Sequence, residues 1–187
     1  MGATFPQIIL GYHGCDRDVG EDLLTGRLRL KPSVNEYDWL GSGIYFWENS
    51  PDHALKWAKE GKENPAICKG RIKEPFVLGA LIAPQKCLDL LDTETCELLR
   101  AFYDSYCRQQ DVPIPANRGK LRKLDCFMVN NLVDSSREKG IVYDTVRGAF
   151  FEGDEIMPDS GFRMQTHIQI CVRDPECILG YFLPAGF

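Results

Sequence analysis

Three stretches of the chain carry side chains that can do chemistry together. Tyr12-His13-Gly14 follows an apolar run, Tyr45 lies in the glycine-led run Leu40 to Phe46, and Gln165, His167 and Gln169 alternate with Thr166, Ile168 and Ile170. Such alternation puts a polar row and an apolar row on opposite faces of a strand. Histidine exchanges a proton near neutral pH, so His13 and His167 are candidate acid–base or hydrogen-bonding groups. Glutamine can only orient. Tyr45, Phe46 and Trp47 form an aromatic strand end beside a helix start, a place suited to holding a flat ring. Gly41 and Gly43 around Ser42 let a ligand or another strand approach the main chain closely. Arg147, in Asp144-Thr-Val-Arg-Gly148, is a candidate for a phosphate because its planar fork matches phosphate oxygens, and equally for a plain surface salt bridge. Asp38 and Glu48 flank the glycine turn as capping or hydrogen-bonding residues.

The elements that must position these groups follow from pattern. Ile8 to Tyr12 is β-like and enters His13-Gly14, and Asp16 to Thr25 reads as a short helix stopped by Gly26. Leu28 to Leu30 reads as a strand, Ser33 to Trp39 as a polar loop, and Ile44 to Trp47 as a compact strand. Ser50 caps a helix running to about Lys59, with Pro51 at its first position, Asp52 in its first turn, and Ala54, Trp57 and Ala58 on one face. Pro75 to Ala83 is apolar nearly throughout, as a central strand is. Asp92 caps a helix with Cys96, Leu99, Phe102, Tyr103 and Tyr106 on its apolar face, and a second helix runs from about Leu121 to Lys139. Strands are expected over Ile141 to Val146, Thr166 to Val172 and Ile178 to Leu183. The glycine-punctuated stretch between the first two of these reads as a binding loop. Strands scattered among few helices predict an α+β fold.

At 187 residues and 44% apolar content, the chain suits one domain over residues 1–187. It has neither a long uninterrupted apolar window nor a basic-then-apolar N-terminus, so the expectation is a soluble, cytoplasmic protein with no membrane partner. The eight cysteines show no CxxC pair and no metal-like spacing, which reads as reduced thiols and no metal. A formal charge of −5 argues against broad nonspecific nucleic-acid coating. Three basic clusters (Arg27, Arg29, Lys31; Lys69, Arg71, Lys73; Arg118, Lys120, Arg122, Lys123) read as solvated surface or as a phosphate track.

Tyr12-His13-Gly14, then Ser33, then Leu40-Gly-Ser-Gly-Ile-Tyr-Phe46 with a helix behind it, resembles the NAD-binding core of the poly(ADP-ribose) polymerase and diphtheria-toxin branch of ADP-ribosyltransferases. The resemblance covers the first third of the chain by motif and its end by order of elements. It implies a split β-sandwich with flanking helices and NAD as co-substrate. In that scheme the Gly14 main chain binds the nicotinamide carboxamide beside Tyr12, His13 binds a ribose hydroxyl, and Tyr45 stacks on the nicotinamide ring with Trp57 as a second wall. Ser33, Gly43 and Gln165 line the same site. Cleaving the nicotinamide–ribose bond needs a gripped leaving group and a fixed ribose rather than a strong nucleophile.

The sequence departs from the family where a glutamate opens the late strand. Here the strand reads Gln165-Thr-His-Ile-Gln-Ile170. His167 takes that place by alignment of the apolar residues, Gln165 and Gln169 share its face, and Glu152 from the preceding loop is the remaining candidate. This departure implies transfer of a single ADP-ribose to a macromolecular acceptor, protein or nucleic acid (RNA or DNA), or else an NAD, ADP-ribose or nucleic-acid binding module without turnover. The loop around Phe150 to Asp159 would help choose the acceptor. By analogy such a protein is a bacterial toxin or defence effector, held in check by an antitoxin or other inhibitor protein.

Overall fold

Apolar and small residues at successive positions make Ile9–Asp16 a strand, β1, that pairs along its whole length with β3 (Pro75–Ile82). The computed structural model describes residues 8–68, 72–109 and 113–187. Within them lie also β2 (Ile44–Glu48), β4 (Cys87–Asp89), β5 (Thr145–Glu155), β6 (Arg163–Val172) and β7 (Ile178–Phe182). They form one mixed sheet of order β4-β5-β6-β2-β1-β3-β7, in which only the β4–β5 pair is parallel. The helices are α1 (Arg17–Leu24), α2 (Pro51–Glu63), α3 (Thr93–Cys107) and α4 (Lys123–Glu138). The fold is α+β in a single domain.

Two layers of helix cover the sheet. Helix α1 packs Leu23 against Cys15, Phe76 and Leu78 on one face. On the other face α4 sets Val129, Leu132 and Val133 against Leu40, Leu88, Val146 and Cys171. Helix α2 lies on that second face too, so close over β1 that a Cβ on Gly14 would coincide with the Ala54 carbonyl and crowd Ala58. Small residues at Gly14, Ala54 and Ala58 are what permit this approach. Helix α3 rests on α4, with the Tyr106 and Phe127 rings 5.4 Å apart.

Several boundaries differ from expectation. Tyr12-His13-Gly14 lies inside β1, which continues to Asp16. Leu28–Leu30 is irregular, and its leucines flank exposed Arg29 rather than pairing with a strand. The supposed loop from Arg147 to Phe162 is mostly ladder: β5 and β6 form a long hairpin from Thr145↔Val172 out to Glu155↔Arg163. Gly148 does not break it, because its missing side chain makes room for the Leu40 Cδ2 atom, 3.0 Å from where a Cβ would be. Gly153, at φ +78°, marks the irregularity between Glu152 and Glu155. Strand β4, three residues long, carries no readable alternation.

Ser50 and Asp92 stand at N-cap positions without making the expected side-chain cap bonds. Ser50 Oγ instead pairs with His53 Nδ1 at 2.6 Å, and Asp92 Oδ2 accepts from Thr95 Oγ1. All eight cysteines are free thiols. Burial pushes Cys15, Cys171 and Cys177 up to about 12 and Cys87 up to about 11, so these four are packing groups rather than thiolates. Among the described residues no helix is long and apolar enough to cross a membrane.

Candidate functional site

The site begins where two strands part. The β1–β2 ladder registers only Gly11↔Glu48 and Tyr12↔Trp47. Asn49 N donates to Leu10 O at 2.9 Å, so the even-numbered residues of β1 turn their main-chain groups toward β2. Gly14 therefore directs its N–H and C=O into the wedge from which β2 has withdrawn. Along the vacated edge of β2, Ser33 takes the place of a strand by exchanging hydrogen bonds with Gly43 at 2.7 and 3.0 Å. Between them the His13 Nδ1 atom lies 2.9 Å from Tyr45 O. A carbonyl can only accept, so Nδ1 carries the proton and the neutral ring keeps an acceptor lone pair on Nε2. Burial lowers the His13 pKa, with the Tyr45 carbonyl opposing it, which keeps that ring neutral. The wedge thus gathers His13, Gly14, Ser33 and Gly43 with the main chain of Tyr45.

Side-chain alternation divides the remaining groups. His13 points to the face of Phe46, its ring centroid 5.7 Å away. Gly148, Gln169, Trp47, Tyr12, Gly79 and Phe182 stand directly opposite one another in a row on the face beneath α2. Tyr45 shares that face. Its hydroxyl donates to Gly41 O at 2.6 Å and accepts from Leu40 N at 3.0 Å. Burial raises its pKa well above the usual phenol range, so it stays a neutral half-buried ring. Trp57 leans on Trp47, centroids 6.2 Å apart, not on Tyr45, so the second wall expected there faces two residues further along the strand.

Hydrogen bonds orient the side chains of the third motif. His167, only 7% exposed, has Nδ1 2.8 Å from Gln165 O, so Nδ1 is the donor and Nε2 the acceptor in the neutral ring. Gln169 Nε2 lies 3.1 Å from that lone pair. The amide must present its NH2 to His167, which turns Oε1 away as a fixed acceptor. Glu152, expected in a loop, is on β5 opposite Gln165, with Oε2 3.9 Å from His167 Nε2. His53 of α2 closes the group, its ring 4.9 Å from that of His167, and burial together with the nearby His167 lowers its pKa. Phe150 lies against His167 on the other side, and Trp39 against Phe150.

Of the two roles expected for Arg147, it takes that of an ion pair. Its guanidinium grips Glu48 at 2.6 and 2.9 Å and Asp89 at 3.0 Å, bracing β5 to β2 and β4. The acidic pair raises its pKa. In the third basic cluster Arg122 pairs with Asp125 and lies over Trp39, while Lys123 pairs with Glu36. Lys69 and Arg71 lie outside the described residues, and Arg27 pairs with Asp22. Among the described residues no three His, Cys, Asp or Glu side chains are grouped to hold a metal ion.

Sequence reasoning missed His53, Asn130 and Arg173. His53 had a signal, the Ser50-to-His53 spacing at the helix start; the other two act from distant elements and had none.

Fold and site together define an α+β protein whose central sheet parts between β1 and β2 beside His13 and Gly14, with Gln169 hydrogen-bonded to His167 on β6. No family model and no solved structure matches the chain. It is 44% identical over 193 residues to the uncharacterized protein MJ0359 of Methanocaldococcus jannaschii, covering 89% of this chain and 83% of that protein. The chain belongs to the same family as that protein.

Proposed function

We propose that this protein is a transferase that breaks the nicotinamide–ribose bond of NAD and passes a single ADP-ribose to a macromolecular acceptor. The observation that carries this reading is the wedge between β1 and β2. A primary carboxamide offers one donor and one acceptor, and Gly14 directs one of each into that opening. His13 Nε2 is an acceptor suited to a ribose hydroxyl, and the neutral face of Tyr45 suits a flat cationic ring, a contact worth about 1–2 kcal/mol when desolvated. The bonding pair of the broken C–N bond leaves with nicotinamide, the acceptor's lone pair forms the new bond to C1′, and the acceptor's proton goes to solvent. Gln169 Oε1 would accept from a ribose hydroxyl and take up no proton.

A neutral third group favours one transfer over chain elongation. The β5–β6 hairpin, with Phe151 and Met164 exposed, lies beyond Gln169 and would meet the acceptor. One observation favours a second reading. The His167 lone pair is occupied by Gln169, so this histidine does not act as a free base, as a binding module without turnover would have it.

Purified protein given NAD labelled in the nicotinamide decides between them. Release that is lost in His13→Ala and Gln169→Ala supports transfer. Saturable binding without release under any acceptor supports the binding module, and neither binding nor release overturns both.

A further inference from the structure

The glycine turn that holds Tyr45 is itself gripped from outside. Asn130, on α4, accepts from Ser42 N at 2.9 Å and donates to Ser42 Oγ at 3.3 Å. Arg173, just past β6, donates through Nη1 to Ser42 O at 3.0 Å and to Asn130 Oδ1 at 2.8 Å. All three polar groups of Ser42 are thereby taken by two side chains from elements remote in sequence. Asn130 Oδ1 also occupies the space that a Gly41 Cβ would need, and Gly41 sits at φ +78°. The two residues just before Ser42, Leu40 and Gly41, are the ones whose main chain fixes the Tyr45 hydroxyl.

We infer that Asn130 and Arg173 are positioning residues: they set the rotation of the Tyr45 ring by locking Ser42, and so set how tightly a planar ligand is held against it. Neither side chain touches the wedge. Arg173 donates a charge-assisted bond to one lone pair of Asn130 Oδ1 and leaves the other for Ser42 N, which fixes the orientation of the amide against the turn. The inference rests on the NAD reading for its ligand but not for its geometry.

The test compares Asn130→Ala, Asn130→Asp and Arg173→Gln. An aspartate at 130 still accepts from Ser42 N and from Arg173 and loses the donations to Ser42 Oγ and to Cys126 Sγ. Asn130→Ala and Arg173→Gln should raise the KM for NAD about tenfold with kcat nearly unchanged, the pattern of lost uniform binding. Asn130→Asp should restore most of it. Amide exchange over residues 40–45 should accelerate in the first two variants and recover in the third.

A loss of kcat and thermal stability at unchanged KM would overturn the inference, since a merely structural clamp behaves that way. Where the wild-type protein neither binds nor cleaves NAD, the functional reading falls and amide exchange alone judges the inference. Acceleration restored by aspartate supports it, and unchanged exchange overturns it.

Discussion

The imidazole of His13 stands where a rung of the sheet would otherwise be, with Nδ1 2.9 Å from the carbonyl oxygen of Tyr45. The strand pair ends one residue earlier, at Tyr12↔Trp47. A side chain in that place serves two ends: it satisfies a carbonyl that would otherwise face a gap, and it holds a neutral Nε2 acceptor at the opening. His13→Ala should cut nicotinamide release by about 100-fold through loss of ribose orientation. His13→Gln, whose amide can still donate to Tyr45 O, should keep the fold's thermal midpoint close to that of the wild type while activity stays low. Steady-state assay and circular dichroism on the two variants check this.

Burial lowers the pKa of His13 and of His53 below the ordinary histidine value of 6.5. The unfolded chain then binds more protons than the native one between each lowered value and 6.5, so stability rises with pH in that window. Their contribution is fully present above pH 6.5 and is lost as pH falls through and below it. Urea midpoints measured at about pH 7.5 and about pH 5.5 should drop for the wild type. They should drop less for His13→Gln, and an equal drop in both proteins would show that His13 does not titrate with folding.

His167 and Gln169 should behave as one unit. If His167 acts only by fixing the Gln169 amide, Gln169→Ala removes the working oxygen, and adding His167→Ala costs little more. The double variant should therefore show the kcat/KM of Gln169→Ala within about twofold, a strongly non-additive cycle. Additive losses would instead give His167 an independent role, such as a base toward the acceptor.

Much of the fold was legible because its signals are local. Ser50-Pro51 marked the start of α2, Gly26 the end of α1, and the unbroken apolar run of Pro75–Ile82 the central strand. The β5–β6 hairpin was not, because Gly148 and Gly153 look like loop punctuation until Leu40 and the ladder irregularity are seen beside them. At the site, the residues of the wedge were readable as a motif, while the assignment of the third group was not. How Gln165, His167, Gln169 and Glu152 are oriented depends on the tautomer of His167, which the Gln165 carbonyl fixes. Arg147 read equally as a phosphate ligand or a surface salt bridge because its two acidic partners lie 99 and 58 residues away in sequence.

That acidic pair makes a further prediction. Glu48 and Asp89 are largely shielded from water, with side-chain exposures of 12% and 8%. Arg147→Met would leave both carboxylates beside each other without their cation. Removing one member of such a buried group costs about 3 kcal/mol, so the urea midpoint should fall clearly. The KM of residual activity for NAD should stay at the wild-type value, because the guanidinium is engaged on the strands and not on a ligand. A raised KM at unchanged stability would return Arg147 to the role of phosphate ligand.

Gly14 tests how closely the helix and the wedge depend on each other. Its φ is not in the left-handed region, so alanine there is barred by space alone: the new Cβ would meet the Ala54 carbonyl and the Ala58 methyl. Overpacking of this kind costs about 1–3 kcal/mol and forces neighbours to move. Here the element that must move is α2, and α2 carries His53, which packs on His167. Gly14→Ala should lower stability by that amount and reduce activity even in the fraction that remains folded. Gly180, on edge strand β7, has open space where a Cβ would go, so Gly180→Ala should change stability by less than about 0.5 kcal/mol and leave activity intact. Denaturant titration and nicotinamide release on the pair decide the matter: equal behaviour of the two variants would mean that the spacing between β1 and α2 does not govern the site.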